Sequence, residues 1–269
     1  MSFLLASSVP TVTIPSSAKK ALRPIRELAL SLATYRYGVT QILNGVPVQV
    51  DARSRLSFPS SYDEEVTKLL STQVQPGDQC WNVGANVGVH VLQMCRLVGP
   101  HGKVVAFEPN PTAAMLLTRN VAFNGYTDRF ELIQAAIGQH SGITDYFIDG
   151  TDPMCRAETP NPLLSQTERI CVDVTTLDQQ LAKRRPQPKC ILIDIEGWEI
   201  GALLSAESLL QLNPLPLIVV ELHPDAWAWS GHSAEQLQTL LHRHGLQLTA
   251  LSGQRDVFNE HGHVLVVRR

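Results

Sequence analysis

Residues 79–88, Gln-Cys-Trp-Asn-Val-Gly-Ala-Asn-Val-Gly, decide the fold of this 269-residue chain. The apolar run 79–83 reads as a buried strand, and 87–97 has the apolar spacing of a helix. Strand, glycine turn and helix open a parallel sheet. The alternation continues outward: strand 103–107, then helix 111–123 closed by Asn124-Gly125, then strand 130–134. A short helix at 177–181, strand 190–195, helix 199–210, strand 217–222 and helix 234–244 follow, with strands 246–251 and 264–267 completing the sheet. Segments 143–148 and 169–174 are extra strands flanking a Pro-rich loop, 152–162. The predicted class is α/β, a Rossmann-like and mostly parallel sheet covered by helices on both faces.

The N-terminal side is less regular. Residues 1–17 are rich in Ser, Thr and Pro and read as a poorly ordered end. Leu22, Ile25, Leu28, Ala29 and Leu32 give 18–37 a helical face. Asn44-Gly45 is a turn signal, with Val46, Val48 and Val50 alternating after it. Ser61, Asp63, Glu64 and Glu65 precede Val66 as a helix start should. The chain therefore divides into an extension, 1–60, with a helix and a hairpin, and a main domain, 61–269.

Composition narrows the function. Apolar residues make up 44%, enough for a sizeable core, and the net charge of -3 gives no electrostatic case for nucleic acid. A small or neutral substrate fits better. Cys80, Cys95, Cys155, Cys171 and Cys190 form no metal or redox spacing and read as reduced thiols of a cytoplasmic protein. No segment approaches the roughly eighteen apolar residues of a membrane span. Lys19, Lys20, Arg23 and Arg26 read as a solvated helix face, and oligomeric state leaves no sequence signal.

Two sets of residues carry chemistry. Gly84 allows a sharp turn after the first strand, and Gly88 lets the helix start approach the sheet. Backbone N–H groups of that loop then face the ligand, and Glu108, ending the next strand, accepts hydrogen bonds from ribose hydroxyls. A nucleoside-containing ligand follows. Asn86 occupies the middle glycine of the G-x-G-x-x-G dinucleotide pattern, which disfavours a pyrophosphate and so NAD. The second set is Asp194, Glu196 and Gly197 at one strand end, with Glu221 and His223 at the next. Three readings stay open: His223 as a base oriented by Asp194 or Glu221, an oxygen-rich metal site, or loop-capping groups. The first is adopted, with no metal. Glu199 is explained as a helix N-terminal acid. Of the other histidines only His90, beside the loop, has a path to the ligand; the rest read as surface or cap residues.

The ordered motifs at 82–88, 107–111 (Phe-Glu-Pro-Asn-Pro), 175–178 (Thr-Thr-Leu-Asp), 192–199 (Leu-Ile-Asp-Ile-Glu-Gly-Trp-Glu) and 220–223 (Val-Glu-Leu-His) resemble the FkbM family of S-adenosylmethionine (SAM)-dependent methyltransferases. The resemblance implies a class I methyltransferase sheet with its last strand antiparallel, SAM as cofactor, and O-methylation of a hydroxyl on a small natural product or sugar. It implies a cofactor set of Asn82, Gly84, Ala85, Asn86, Gly88, Glu108, Pro109, Gln134, Ala135 and Asp194, with Gln134 and Ala135 beside the adenine. The catalytic set is His223, Asp194, Glu196 and Glu221. Two positions depart from the family: Asn82 stands where it usually has aspartate, and Leu192 where it commonly has lysine. The alternatives are a non-catalytic SAM-binding protein or an NAD-dependent oxidoreductase. The helix 18–37 and the loop 152–162 are candidate lids, with Met154, Trp227 and Trp229 as candidate pocket walls.

Overall fold

The computed structural model describes residues 29, 32–149, 156–157 and 168–269. Most of the expected lid helix, its basic cluster, Cys155, Met154 and most of the loop 152–162 lie outside the described residues. The first described strands, β1 (Val39–Leu43) and β2 (Val46–Val50), form a hairpin, antiparallel about Asn44-Gly45. After α1 (Glu64–Gln73) comes β3 (Gln79–Val83), α2 (Val89–Val98), β4 (Lys103–Phe107), α3 (Pro111–Phe123) and β5 (Phe130–Ile133). Next are β6 (Ala136–Ile137), β7 (Gly142–Ile148), β8 (Arg156–Ala157) and β9 (Glu168–Thr175), then α4 (Leu177–Lys183) and β10 (Cys190–Ile193). The remaining elements are α5 (Glu199–Leu204), α6 (Glu207–Leu210), β11 (Leu217–Leu222), α7 (Pro224–Trp227), α8 (Ala234–Arg243), β12 (Leu246–Ala250) and β13 (Gly262–Arg268).

The main sheet has seven strands in the order β12-β13-β11-β10-β3-β4-β5. β10 pairs in parallel with β11 and β3, and β3-β4-β5 continue in parallel, whereas β13 runs antiparallel to β11 and β12. The last strand is thus the reversed one, as expected. Order 3-4-5 on one side of β3 and β10-β11 on the other makes the β3/β10 boundary the switch point, where ligands of open sheets sit.

Period-2 alternation along the strands feeds two cores. Trp81, Val83, Val105, Phe107, Ile191, Ile193, Ile218 and Val220 pack on α4, α5, α6 and α8. Cys80, Val104, Ala106, Cys190, Leu192 and Val219 pack on α1, α2 and α3. Each fully buried aliphatic side chain contributes about 1.5–3 kcal/mol, so truncating any one leaves a cavity in a three-layer stack. The hairpin joins the second core through Leu43, Val48 and Val50. Asn120 of α3 and Asn124 at its C-cap pin it: Asn120 Oδ1 accepts from Asp51 N (2.7 Å), and Asn124 accepts from Gln49 N (3.0 Å) and donates to Gln49 O (2.7 Å). The extension therefore shares a core with the main domain.

Three expectations shift. The helix 199–210 is two helices, because Ser205 Oγ accepts from Leu177 N (3.1 Å) and donates to Ala202 O (2.7 Å), tying the break to α4. The helix expected from residue 87 starts at Val89, residues 84–88 being the turn. The strands around the Pro-rich loop join a separate four-stranded sheet, β6-β9-β7-β8, beside the carboxyl end of β5.

Candidate functional site

A cavity of ≈ 350 Å³ opens at the carboxyl ends of β3, β4 and β10, within the usual size range of ligand pockets. Its floor is the turn after β3. Gly84 has φ +83°, and an added Cβ would lie 1.7 Å from the main-chain oxygen of Asp194, so only glycine fits. Gly84 N and Ala85 N both donate to Phe107 O (3.0 Å each), and Asp194 N donates to Val83 O (3.0 Å). These bonds fasten the turn to both neighbouring strands. Gly88 lies behind the floor, where a Cβ would meet Leu117.

Glu108 follows β4 at the cavity wall. Its Oε2 accepts from Asn86 N (2.6 Å) and its Oε1 from Asn110 N (2.8 Å). Burial pushes its carboxyl up to about 7, against the lowering effect of those two backbone donors. Asn82, 1% exposed, also lines the cavity, and neither oxygen nor nitrogen of its amide has a hydrogen-bond partner. A buried unpaired amide costs about 1–3 kcal/mol. That cost is relieved when a ligand supplies partners.

Of the expected cofactor residues, Asn82, Gly84, Ala85, Asn86, Glu108, Pro109, Ala135 and Asp194 line this cavity. Gln134 is exposed and its neighbours Ala135 and Ala136 form the wall instead. Trp198, Tyr146, Tyr62 and His90 are further wall residues. Trp227 is 3% exposed in the core and Trp229 is 40% exposed; neither lines the cavity.

Beside the cavity the ends of β10 and β11 gather ionisable groups. Asp194 and Glu196 line the cavity, while Glu221 and His223 stand behind them. Burial raises the carboxyls of Asp194 and Glu221 well above their ordinary range; the charge of Glu221 adds to the rise at Asp194, and that of Asp63 to the rise at Glu221. Glu199 is 0% exposed and is more than a helix-end acid. Its Oε1 accepts from Gly197 N (2.7 Å) and His223 Nδ1 (3.0 Å), and its Oε2 from Trp227 Nε1 (3.1 Å). It is Glu199, not Asp194 or Glu221, that orients the His223 ring. Burial alone would lower His223, but the hydrogen bond and charge of Glu199, with Glu196 and Asp194 behind it, push it up to about 10. His223 is therefore an imidazolium at neutral pH and holds its proton too tightly to serve as the base.

Four residues outside the expected set complete the cluster. Asp63, with φ +39°, points its carboxylate at His90 Nε2 (3.0 Å) instead of capping α1. His90 is 6% exposed. His261 Nε2 lies 2.9 Å from Glu221 Oε1, and its ring is 4.7 Å from that of His223. His263, 5% exposed, is the register partner of Glu221 across β11 and β13.

A parallel sheet with one reversed strand, a glycine turn without phosphate spacing and an acid after β4 define a class I SAM-dependent methyltransferase. Residues 82–248 match the family model described as the Methyltransferase FkbM domain, and the chain belongs to that family. This sets the dinucleotide oxidoreductase reading aside. The hexuronic acid methyltransferase AglP of Haloferax volcanii is 26% identical over 164 residues, 60% of this chain and 62% of that protein. The chain thus aligns with under two thirds of that relative. Among solved structures, Aeropyrum pernix fibrillarin with natively bound S-adenosyl-L-methionine matches at 12% identity and TM-score 0.41, over 76% of this chain and 74% of that one. Geobacter metallireducens precorrin-6y C5,15-methyltransferase matches at 13% and TM-score 0.43, over 77% and 87%. Likeness at that level says nothing about substrate. Among the described residues no helix is long and apolar enough to cross a membrane.

Proposed function

We propose that the protein methylates a hydroxyl oxygen of a sugar or small natural product, with Asp194 as the group that accepts the hydroxyl proton. The observation that carries this reading is Asp194 itself: a cavity-lining carboxyl at the end of β10 whose affinity for a proton is raised by burial and by Glu221. A base held above the ordinary carboxylate range is suited to taking a proton near neutral pH. Bound SAM supplies a methyl group already activated by its sulfonium.

The chain's own residues do the rest. The turn at Gly84 and the carboxylate of Glu108 hold the cofactor ends, and Asn82 fills its hydrogen-bonding capacity on them. Glu196 and Asp194 hold the acceptor hydroxyl, and the fixed His223 cation balances their charge. Tyr146 and Trp198 narrow the cavity and exclude water. Positioning of this kind supplies much of the acceleration in a displacement reaction. The name of the Haloferax relative makes a hexuronic acid or a glycan carrying one the first acceptor to try.

Incubation with methyl-labelled SAM and a panel of free sugars, uronic acids and glycans tests the reading. Label in an alkali-stable ether is the expected product, and label in an alkali-labile ester would move the transfer to a carboxylate and overturn the hydroxyl assignment. Label transferred only to nitrogen would overturn the oxygen assignment. Stabilisation by S-adenosylhomocysteine with no transfer to any acceptor would leave a SAM-binding protein without catalysis.

A further inference from the structure

We propose that Asp194, Glu196 and His223 form a binding site for one divalent cation of the manganese class, at the edge of the cofactor cavity. One ligand atom from each of these side chains lies within 4.8 Å of the others. They come from the end of β10, the turn after it and the end of β11, so the backbone places them before any ion arrives. His223 Nε2 faces Glu196 Oε2 at 3.6 Å, too far for a hydrogen bond, and an ion arriving between them would displace the Nε2 proton of the imidazolium, so binding tightens as pH rises.

One observation besides their spacing points to a missing ligand. The Oδ1 atom of Asp194 is shut off from solvent and has no hydrogen-bond partner. Buried polar atoms are almost always paired, so an orphaned carboxylate oxygen at this cluster marks a place where something binds.

The support around His223 is that of a metal ligand. Ligating histidines donate their second ring nitrogen to a carboxylate, which fixes ring orientation. Glu199, itself tied to Gly197 N and Trp227 Nε1, accepts from Nδ1 at 3.0 Å and leaves Nε2 to face the cluster. Two carboxylates and one imidazole suit manganese or a neighbouring divalent ion better than a softer thiolate-seeking one. The ion would also offset the crowding of Asp194, Glu196 and Glu221, and its open positions would face the cavity through Asp194 and Glu196. Holding an acceptor oxygen there rests on the methyl-transfer reading; cation binding itself does not.

The test uses the whole chain, stripped with a chelator, and Mn²⁺ as the probe. Electron paramagnetic resonance of free Mn²⁺ and thermal unfolding are followed together. Saturable binding of one ion per chain with a rise in Tm is expected. Glu196→Gln and His223→Gln should each weaken binding at least about tenfold, since even support residues of metal sites cost that much. His261→Ala should leave binding intact. Unaltered stabilisation by S-adenosylhomocysteine shows that each variant folds, and Asp194→Asn replaces His223→Gln if that variant does not. No saturable binding at millimolar Mn²⁺, Mg²⁺ or Zn²⁺ would overturn the proposal, as would equal binding by the variants. Loss in His261→Ala would move the ion to Glu221, His223 and His261 and overturn this ligand set. Failure of S-adenosylhomocysteine to stabilise the wild type would count against the cofactor assignment alone.

Discussion

The two halves of the cavity are built differently. The cofactor half is made of backbone: a turn with no room for side chains at Gly84, and main-chain donors on Glu108. The acceptor half is made of ionisable side chains gathered from the start of α1, from α2, the ends of β10 and β11, and β13. Shape encoded in a few consecutive residues tolerates little change. A charge cluster drawn from distant segments can be retuned one residue at a time.

Four experiments probe that contrast. Gly84→Ala should have the largest effect, because both the positive φ and the 1.7 Å approach to a main-chain oxygen forbid a Cβ. A loss of about 3 kcal/mol or more in urea unfolding is expected, with S-adenosylhomocysteine binding abolished in calorimetry. Normal binding by this variant would end the claim that the cofactor half is set by shape.

Glu199→Gln comes next, since removing one partner of a buried ion pair costs about 3 kcal/mol. The pH dependence fixes the cause. His223 in the folded chain lies above its ordinary 6.5, at about 10. Its pairing therefore stabilises fully below about pH 6.5 and is lost as pH rises through about 10. Wild-type stability measured across that window should fall with pH, and the variant should flatten the fall. An unchanged slope would place the charge of His223 elsewhere.

Asp194→Asn should lower kcat by about a hundredfold or more while leaving S-adenosylhomocysteine affinity nearly unchanged. In the wild type, the acid limb of kcat/KM should sit above the ordinary carboxylate range, because burial and Glu221 raise Asp194. Equal losses in binding and turnover would merge the two halves into one.

The smallest effect concerns Asn82 and Leu192. They are register partners across β3 and β10, 1% and 0% exposed. The two departures from the family's Asp and Lys thus sit side by side, as a pair without charge. Asn82→Asp alone should cost about 1–2 kcal/mol as a buried charge. Combining it with Leu192→Lys should destabilise less than the sum of the single changes, by about 1 kcal/mol. Strict additivity in that cycle would disprove the pairing.

The unequal legibility of the halves has the same origin. Strand, glycine turn and following acid lie close in the chain, and spacing alone placed them on the cavity floor. Asp194, Glu196, Glu221 and His223 could be placed at strand ends by alternation. Their mutual relations could not, because the orienting acid, Glu199, lies beyond a tight turn at Glu196-Gly197 with φ of +53° and +105°. Asp63 and His263 join only through the folding of α1 and β13 onto the sheet edge. The break at Ser205 is likewise a tertiary effect, held by a hydrogen bond to Leu177 N that no helical periodicity contains.

Gly84 packs against the carbonyl of Asp194, and a carbonyl is the one part of residue 194 that mutation cannot remove. A change of side chain at 194 therefore alters the acceptor half while leaving the cofactor cradle intact. Lineages can explore new acceptors without first losing the methyl donor, an arrangement under which chemistry diversifies faster than architecture.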